Sequence, residues 1–357
     1  SVRRAAQCAL SIQRTMHNHE PVQGCRISLR VGVAAGEVSV SHVGGVFSRW
    51  ELLVAGVPLE RVSSAEQHAR PGQVLLATEA WEMIKDHCLG APLDDPAGLF
   101  RLDGLSEPLV LYPLPPVSLS PTMSAGLRAY IPGAILSRLA VGQSSWVAEL
   151  RRVSVLFVKL PDLNAVTLLE RSQEVMHALQ TAIYHYEGSI NKLNVDNKGT
   201  TLVAAMGLPP MSHEDDAVRA VQAAQAIQAG LRSLGVNCSI GIATGQAFCG
   251  AIGTATRREY TMVGDVVNLA ARLMEAAQHD IFCDTATYQA AVQRLEFTPL
   301  DAMSIKGKTL PVIAYRPRGP IKAVVRPRTE LIGRSQERTA LVEKLQALLR
   351  GAQKNVV

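Results

Sequence analysis

The hydrophobic pattern changes its period within residues 239–274, and the rest of the chain is arranged around this stretch. Before residue 264 apolar positions alternate, as they do in half-buried strands, and glycines interrupt them. The pattern predicts, in order, a strand (239–243), a Gly-broken segment (245–253), a basic hairpin tip (254–259) and a strand entering a turn (263–265).

After the turn the apolar positions follow a helical spacing, at Val266, Leu269, Ala270 and Leu273. The opposite side of this helix carries Asn268 and Arg272, which are four residues apart and therefore share a face. An amide can hold a sugar hydroxyl, and a guanidinium can hold a phosphoryl group with its planar fork of donors. The alternative is that Asn268 caps a turn and Arg272 is a solvated charge.

The region preceding this stretch predicts a mixed α+β domain. The expected elements are a strand (153–158), a long helix (164–186), two strands (189–195 and 200–206) and a second helix (214–234). Asp215 and Asp216 fall in the first turn of that second helix, where the helix dipole favours acids. Strand, helix, strand, strand, helix, strand is the order of a ferredoxin-like α/β sandwich.

The amino-terminal part repeats the later part. An amphipathic helix (1–17), a loop (19–24) and a strand (27–34) are expected first. From there, matched residues lie at slowly drifting offsets: Gly32 and Gly36 precede Gly241 and Gly245 by 209, Gly56 precedes Gly264 by 208, Thr78 precedes Thr285 by 207, and Pro108 and Tyr112 precede Pro311 and Tyr315 by 203. Few gaps over this length indicate two copies of one domain, the first of them truncated.

The repeat sets the predicted domain boundaries. Residues 1–113 form the first copy, a Pro- and Ser-rich linker with a short helix near 127–139 spans 114–148, and the second copy spans 149–318. A basic linker and the start of a further module fill 319–357.

Composition narrows the function classes. The chain is 47% hydrophobic without a run near the ~18 apolar residues of a membrane span. A net charge of +5 with 4% aromatic residues gives no sign of nucleic-acid binding. The six cysteines show no paired spacing and are expected to be small core residues of a reducing compartment. We interpret the chain, which begins with Ser1, as a fragment of a longer cytoplasmic protein.

The string Y-T-M-V-G-D-V-V-N-L-A-A-R at residues 260–272 resembles the signature of class III nucleotide cyclases, and the resemblance extends over about 149–318. It implies two tandem cyclase domains that form a pseudo-dimer, the first degenerate and the second nucleotide-binding. It also implies conversion of ATP to 3′,5′-cyclic AMP and pyrophosphate, with the partner cyclase domain within the same protein.

The resemblance assigns roles to residues of the second copy. Arg272 would stabilise charge on the phosphoryl group in the transition state, and Asn268 would orient the ribose. Lys192 and Thr261, with Met262 beside them, would read the purine; guanylate cyclases carry an acid at the lysine position, so Lys192 indicates ATP. Lys306 would hold the terminal phosphates, with Lys308 a weaker alternative.

The chain departs from the family at the metal site. Two divalent ions, Mg or Mn, are implied, but Lys159 stands where the family has its first metal aspartate, and Asp196 and Asp216 have no metal spacing. No residue of this chain is therefore predicted as a metal ligand, and the ligands are expected in a missing half of the first copy.

The first copy has also lost polar residues. Glu60 stands at the position of Asn268, Ser64 at that of Arg272, and Asp103 at that of Lys306. Acids at such positions would repel phosphate.

The tandem arrangement and the tail resemble the soluble, bicarbonate-responsive branch of the family, in which an ATPase module follows the cyclase domains. In that branch an arginine binds the small anion. Here Ser63 falls at its position, and Arg61 lies roughly 200° away around the helix. We therefore expect weak or absent bicarbonate stimulation.

Two other function classes stay open. A catalytically dead nucleotide-sensing module would share this fold. A pure interaction domain would also share it, but it would not need Lys192, Thr261, Asn268 and Arg272 together.

Residues 1–357 alone should not make cyclic AMP, because the predicted metal carboxylates are absent and metal ions supply several kcal/mol of charge stabilisation. The measurement is manganese-dependent turnover by the purified chain. Turnover above that of a preparation from cells lacking the chain would contradict the prediction.

Overall fold

The structure is a computed structural model, and it describes residues 1–94, 98–110, 118–132, 135–136, 149–164, 167–196, 198–209, 211–254, 257–305, 310–321 and 333–350. Two compact units are present, Ser1–Gly319 and Pro320–Val357. Both predicted copies lie in the first unit. The described part of the second unit contains one helix, α9 (Ser335–Leu349).

The first unit alternates helices and strands. Its described helices are α1 (Val2–Met16), α2 (Val57–His68), α3 (Thr78–Glu82), α4 (Pro121–Arg128), α5 (Leu169–His185), α6 (Asp216–Ser233), α7 (Asp265–Ala276) and α8 (Thr285–Ala291). Its described strands are β1 (His19–Val22), β2 (Cys25–Ile27), β3 (Val31–Val33), β4 (Ser39–Gly44), β5 (Trp50–Ala55), β6 (Val74–Ala77), β7 (Cys88–Pro92), β8 (Leu99–Leu105), β9 (Glu149–Leu160), β10 (Ser189–Asp196), β11 (Gly199–Met206), β12 (Ser239–Gly253), β13 (Arg258–Val263), β14 (Ile281–Cys283), β15 (Leu295–Pro299) and β16 (Tyr315–Pro320).

The second copy is built on an eight-stranded sheet with the order β10-β11-β9-β12-β14-β16-β15, and β13 pairs with β12. Alternate residues of β9 leave opposite faces of this sheet. Leu156 and Val158 pack in one buried cluster with residues of α5 and α6. Val153 and Val155 pack in another with residues of α7. The predicted α+β fold of this segment is confirmed.

The long strand β12 corrects one prediction. Residues 239–253 form a single strand, where the glycines had indicated a break after 243. Strand β9 pairs with it from Ser239, opposite Lys159, to Cys249, opposite Glu149. This ladder holds the backbone extended at Gly241 and Gly245, whereas Gly253, beyond the ladder, has φ 140°.

Gly241 is required by a close approach of α7 to the sheet. A Cβ atom there would overlap the carbonyl oxygen of Ala270 and the backbone nitrogen of Met274. In the first copy a Cβ atom on Gly32 would likewise overlap the carbonyl oxygen of Val62, which lies 208 residues before Ala270. The helix therefore sits at the same height over the sheet in both copies.

Strand registers repeat as well. Gly32 pairs with Leu75 in a parallel ladder, as Gly241 pairs with Phe282. The hairpins also match, since Val40 pairs with Val54 and the corresponding Cys249 pairs with Met262. The sequence repeat thus corresponds to a repeated structure.

Several boundaries in the first copy and linker differ from the predictions. The predicted loop 19–24 is part of a β1–β2 hairpin whose turn uses Gly24 at φ 81°, and the predicted strand 27–34 is only Val31–Val33. The linker has a described helix that begins after Ser120, whose hydroxyl accepts from the Met123 N–H, and that ends at Arg128. Much of the predicted helix 127–139 lies outside the described residues. A serine followed by proline is a helix-start signal that the prediction of 127–139 did not use.

Elements of the second copy extend or shift modestly. Strand β9 begins at Glu149 in place of 153, and α5 begins at Leu169 in place of 164.

The prediction that all cysteines are core residues is wrong for Cys8 and Cys25, which are exposed.

Two glutamines of α5 join the copies through the β4–β5 hairpin. Gln173 donates to the Gly44 carbonyl at 2.7 Å and accepts from the Gly44 N–H at 2.8 Å. Gln180, fully buried, accepts from the Val46 N–H and donates to the Arg49 carbonyl, both at 3.1 Å. The side-chain amide of each glutamine both donates and accepts a hydrogen bond, and these bonds fix the hairpin against the second copy.

Gly241→Ala should lower the free energy of unfolding by about 1–3 kcal/mol, because the helix backbone must move to admit the methyl group. The measurement is the urea unfolding midpoint. Gly230→Ala in α6 is the matched control, since its Cβ would lie 3.8 Å from the Ala178 side chain, an ordinary contact. The control should be neutral or stabilising by up to about 1 kcal/mol. Equal loss in both variants would contradict the packing argument.

Candidate nucleotide site

A cavity of about 460 Å³ lies where β10, the β12–β13 hairpin and α7 meet. Four of the six residues predicted for the site line it: Lys192, Thr261, Met262 and Asn268. The remaining lining residues are Ile252, Glu259, Val263, Gly264 and Val267. Residues far apart in sequence are thus brought together at one cavity.

A β-bulge brings Lys192 to this cavity. Strands β10 and β13 are not neighbours in the sheet. In the pairing of β10 with β11 the register shifts between Ile190 and Lys192, so Asn191 is the extra residue. Its side-chain amide donates to the Tyr260 carbonyl at 3.0 Å. The bulge therefore ties β10 to β13 and turns Lys192 toward it.

Lys192 is paired with an acid of the same cavity. Its Nζ lies 2.8 Å from Oε1 of Glu259, with side-chain exposures of 36% and 59%. A pair this exposed contributes about 0–1 kcal/mol. A ligand that offers better partners can therefore displace either group.

On α7 the exposed Asn268 faces the cavity, while Arg272 lies one turn farther along and is not among the residues that line it. Nη1 of Arg272 lies 2.8 Å from Oε2 of Glu275 on the same helix. This half-exposed pair is also weak. Met262, by contrast, is 5% exposed and packs in the core, so its backbone is the part that the cavity offers to a ligand.

The remaining predicted residue, Lys306, lies outside the described residues, and so does its alternative Lys308. Their assignment to the terminal phosphates stays a prediction.

The described residues do not fit a two-metal centre. Lys159 lies within β9, paired with Thr201 and Ser239, at the position where the resemblance places a carboxylate. Asp196 accepts from the Lys198 N–H at 2.7 Å, and Asp216 accepts from the His213 N–H at 3.0 Å. Within the described ranges no group of three His, Cys, Asp or Glu residues could hold a metal ion.

Burial raises the pKa of the Asp216 carboxyl, and the hydrogen bond from the His213 N–H opposes this change. Asp216 thus bonds to the backbone just before its own helix.

A second cavity, of about 370 Å³, lies between the β4–β5 hairpin, the linker and the second copy. Burial raises the pKa of Glu51 in this cavity to about 7, although the nearby Arg49 opposes the shift. Arg49 donates to the carbonyls of Arg128 and Ile131 at the end of α4. The hairpin is therefore held by the linker as well as by α5.

Sequence reasoning missed Asn191 and Glu259. A β-bulge leaves no dependable sequence signal, so the role of Asn191 became visible only in the register of β10. Glu259 was assigned to a basic hairpin tip, although it lies two residues before Thr261 and so leaves the same face of the strand.

Residues 147–317 match the family profile described as the adenylate and guanylate cyclase catalytic domain. This segment is a class III nucleotide cyclase domain. The match agrees with the resemblance carried by residues 260–272.

Proteins similar to this chain include adenylate cyclase type 10 of Homo sapiens, 26% identical over 323 residues, and that of Oryctolagus cuniculus, 25% identical over 316 residues. Both alignments cover 80% of this chain but only 20% of the relative, so the chain spans about a fifth of their length. An uncharacterised protein of Mycobacterium tuberculosis is 34% identical over 140 residues, which is 36% of this chain and 24% of that protein.

Solved structures similar to the cyclase domain include the adenylyl cyclase CyaB from P. aeruginosa, with 23% identity and a TM-score of 0.45. The aligned region covers 49% of this chain and 98% of the CyaB chain. The guanylyl cyclase Cya2 has 25% identity and a TM-score of 0.43, and the aligned region covers 50% of this chain and 97% of the Cya2 chain.

Among the helices of the described residues, none combines the length and apolar content needed to cross a membrane.

Asn191→Ala should lower the free energy of unfolding by about 1 kcal/mol, because the hydrogen bond from its side chain to the Tyr260 carbonyl is lost. Asn194→Ala is the control, since Asn194 is an exposed asparagine on the same strand. The two urea midpoints are compared with that of the wild type. Equal midpoints for the two variants would show that the bulge contact does not hold β10 to β13.

Proposed function

We propose that this chain is part of an adenylyl cyclase that converts ATP to 3′,5′-cyclic AMP and pyrophosphate in intracellular signalling, and that the cavity between β10, β13 and α7 binds the nucleotide. One observation carries the proposal: Lys192, Thr261 and Asn268, from three separate elements, line one cavity of the cyclase domain. Arg272 lies one helical turn beyond Asn268.

The choice of ATP rests on Lys192. Its ammonium group can only donate, and N1 of adenine is an acceptor, whereas N1 of guanine carries a proton. Thr261, on β13, offers a hydroxyl to the same base. The curated relatives are named adenylate cyclases, which is consistent with this choice.

Asn268 and Arg272 act on the sugar and the phosphate. In the proposed reaction the ribose 3′-oxygen loses its proton and bonds to the α-phosphorus, while the bond from that phosphorus to the pyrophosphate oxygen breaks. Asn268 orients the ribose, and Arg272 leaves Glu275 to stabilise the charge that develops on the phosphoryl oxygens. Because the pair with Glu275 is weak, a phosphate can compete for the guanidinium.

The proposal requires the two divalent ions, Mg or Mn, to be held by carboxylates outside the described residues, since these residues do not fit a metal centre. It also assigns the first copy to the role of degenerate partner in a pseudo-dimer. The contacts of Gln173 and Gln180 with the β4–β5 hairpin support close packing of the two copies.

Bicarbonate stimulation is proposed to be weak or absent. Nη1 of Arg61 lies 2.5 Å from Oε1 of Glu79, so this arginine is already paired with an acid. Glu60 on the same helix adds a negative charge, which disfavours an anion.

A catalytically dead nucleotide-sensing module is the second candidate, and Lys159 at the first metal position favours it. The two candidates share the nucleotide cavity and differ in turnover. Formation of cyclic AMP from ATP by the complete protein, in the presence of manganese, supports the cyclase, and ATP binding without turnover supports the sensor.

In the complete protein, Arg272→Ala should lower kcat on the order of 10²–10³-fold with a much smaller change in KM, because the guanidinium acts on charge that develops in the transition state. Arg334→Ala is the control, since Arg334 is an exposed arginine that also pairs with an acid three residues later. Both variants are first checked to unfold at the same midpoint as the wild type. Their kcat and KM values are then compared with those of the wild type by steady-state kinetics. An unchanged kcat for Arg272→Ala would remove this residue from the mechanism.

A further inference from the structure

We propose that the cavity between the β4–β5 hairpin, the linker and the second copy binds a small organic cation, a protonated amine with an apolar body. The carboxylate of Glu51 binds the ammonium group, and the aromatic and aliphatic side chains around it bind the body. This cavity shares the lining residue Glu259 with the nucleotide cavity, and the other described lining residues of the two cavities differ. The inference does not depend on the proposed function.

The hairpin directs the Glu51 side chain toward the second copy. Glu51 pairs with Val43 across the hairpin, and residues directly opposite each other share one face. Leu53 shares this face as well, because it lies two residues after Glu51 on the same strand. Val43 and Leu53 are buried in a core cluster that also contains residues of α5. The carboxyl group is therefore held at the boundary between the two copies.

The Glu51 carboxyl group is largely withdrawn from solvent and lacks a partner. Burial raises its pKa to about 7, and the nearby Arg49 opposes this shift. The guanidinium of Arg49 donates to the carbonyls of Arg128 and Ile131. Within the ranges that the structure describes, no hydrogen bond or ion pair reaches the Glu51 carboxyl group. A buried carboxylate without a partner is unfavourable, so a ligand that brings a cation supplies the pairing that the protein does not.

The other lining residues favour a cation that has an apolar body. Tyr130 and Tyr260 supply aromatic rings, whose faces attract ammonium groups. The hydroxyl of Tyr130 lies 2.7 Å from Nδ1 of His42, and this bond holds the Tyr130 ring in place. The aliphatic wall consists of Ile131, Pro132, Ile135, Ile190 and Ala251. A volume of about 370 Å³ is within the range of small-molecule sites.

The other charged residues of the described lining have partners in the protein. Nε of Arg258 donates to the Thr254 carbonyl at 3.3 Å, and Oε1 of Glu259 lies 2.8 Å from Nζ of Lys192. Arg258 is also exposed, so solvent screens its charge. Glu51 therefore determines the charge of the ligand that the cavity accepts.

The test measures the binding of phenethylamine to the complete protein by isothermal titration calorimetry. Phenethyl alcohol is the neutral probe with the same body, and phenylacetate is the anionic one. Glu51→Gln removes the charge and keeps the size of the side chain. Glu37→Gln is its matched control, because Glu37 is an exposed glutamate just before the same hairpin. Tyr130→Leu removes the aromatic ring, whereas Tyr130→Phe keeps it. Unfolding midpoints first establish that each variant is folded.

Phenethylamine should bind the wild type more tightly than the alcohol or the carboxylate does. Glu51→Gln should weaken binding of the amine about 10-fold, as expected for losing a hydrogen bond to a charged group. Tyr130→Leu should weaken it about 3-fold through loss of the cation–π contact. Glu37→Gln and Tyr130→Phe should bind the amine as the wild type does.

The affinity for the amine should rise about 10-fold between about pH 6 and pH 8, because the amine binds the ionised form of a carboxyl group whose pKa is about 7. Charged and titratable groups face Glu51 from its own strand, α5, the linker and β13: Arg49, Tyr184, Tyr130, Arg258, Glu259 and Tyr260. A histidine also changes charge near neutral pH. Glu51→Gln leaves His42 in place, so loss of the pH dependence in this variant assigns it to Glu51.

Three results overturn the inference: no measurable binding of the amine to the wild type, amine binding no tighter than that of the alcohol, and equal affinity and pH dependence in Glu51→Gln and the wild type. The assay contains no nucleotide. Its failure therefore leaves the cyclase proposal unchanged, and failure of the cyclase proposal leaves the amine site unchanged.

Discussion

The close contact between α7 and β12 at Gly241 is the constraint on which the site depends. Because the helix backbone at Ala270 and Met274 lies directly against the strand, no other residue fits at this position without moving the helix. The height of α7 over the sheet in turn fixes where Asn268 stands relative to Thr261 on β13. Gly32 meets the same constraint against α2, so the scaffold of the site exists in both copies.

The two copies share backbone packing but differ in polar chemistry. In the second copy Thr244 bonds to Ser154 and Thr287, each at 2.8 Å, and its N–H reaches the buried Asp284 at 3.2 Å. The positions of Thr244, Asp284 and Thr287 in the first copy are alanines: Ala35, Ala77 and Ala80. A buried polar network is stable only when every member is satisfied, so replacing all three by small apolar residues preserves the fold at little cost. The apolar contacts therefore maintain the scaffold independently of the polar groups that differ between the copies.

Among the described residues of the candidate site, two cations are paired with neighbouring acids, Lys192 with Glu259 and Arg272 with Glu275. Exposed pairs of this kind are weak, so they keep the side chains near their working positions without competing strongly with a nucleotide. Arg272 needs only to leave a partner on its own helix. The cavity therefore combines a fixed backbone with side chains that change partners readily.

The sequence by itself determined the α+β class, the repeat, the family and the common face of Asn268 and Arg272, because these follow from local periodicity and from a continuous string of residues. It also placed Lys159 where a metal carboxylate was expected. Only the tertiary structure decided that β12 is one strand, because its continuity comes from pairing with β9, a neighbour some 90 residues away in sequence. The bulge at Asn191 and the pairing of Lys192 with Glu259 likewise depend on contacts between distant strands, which no local pattern encodes.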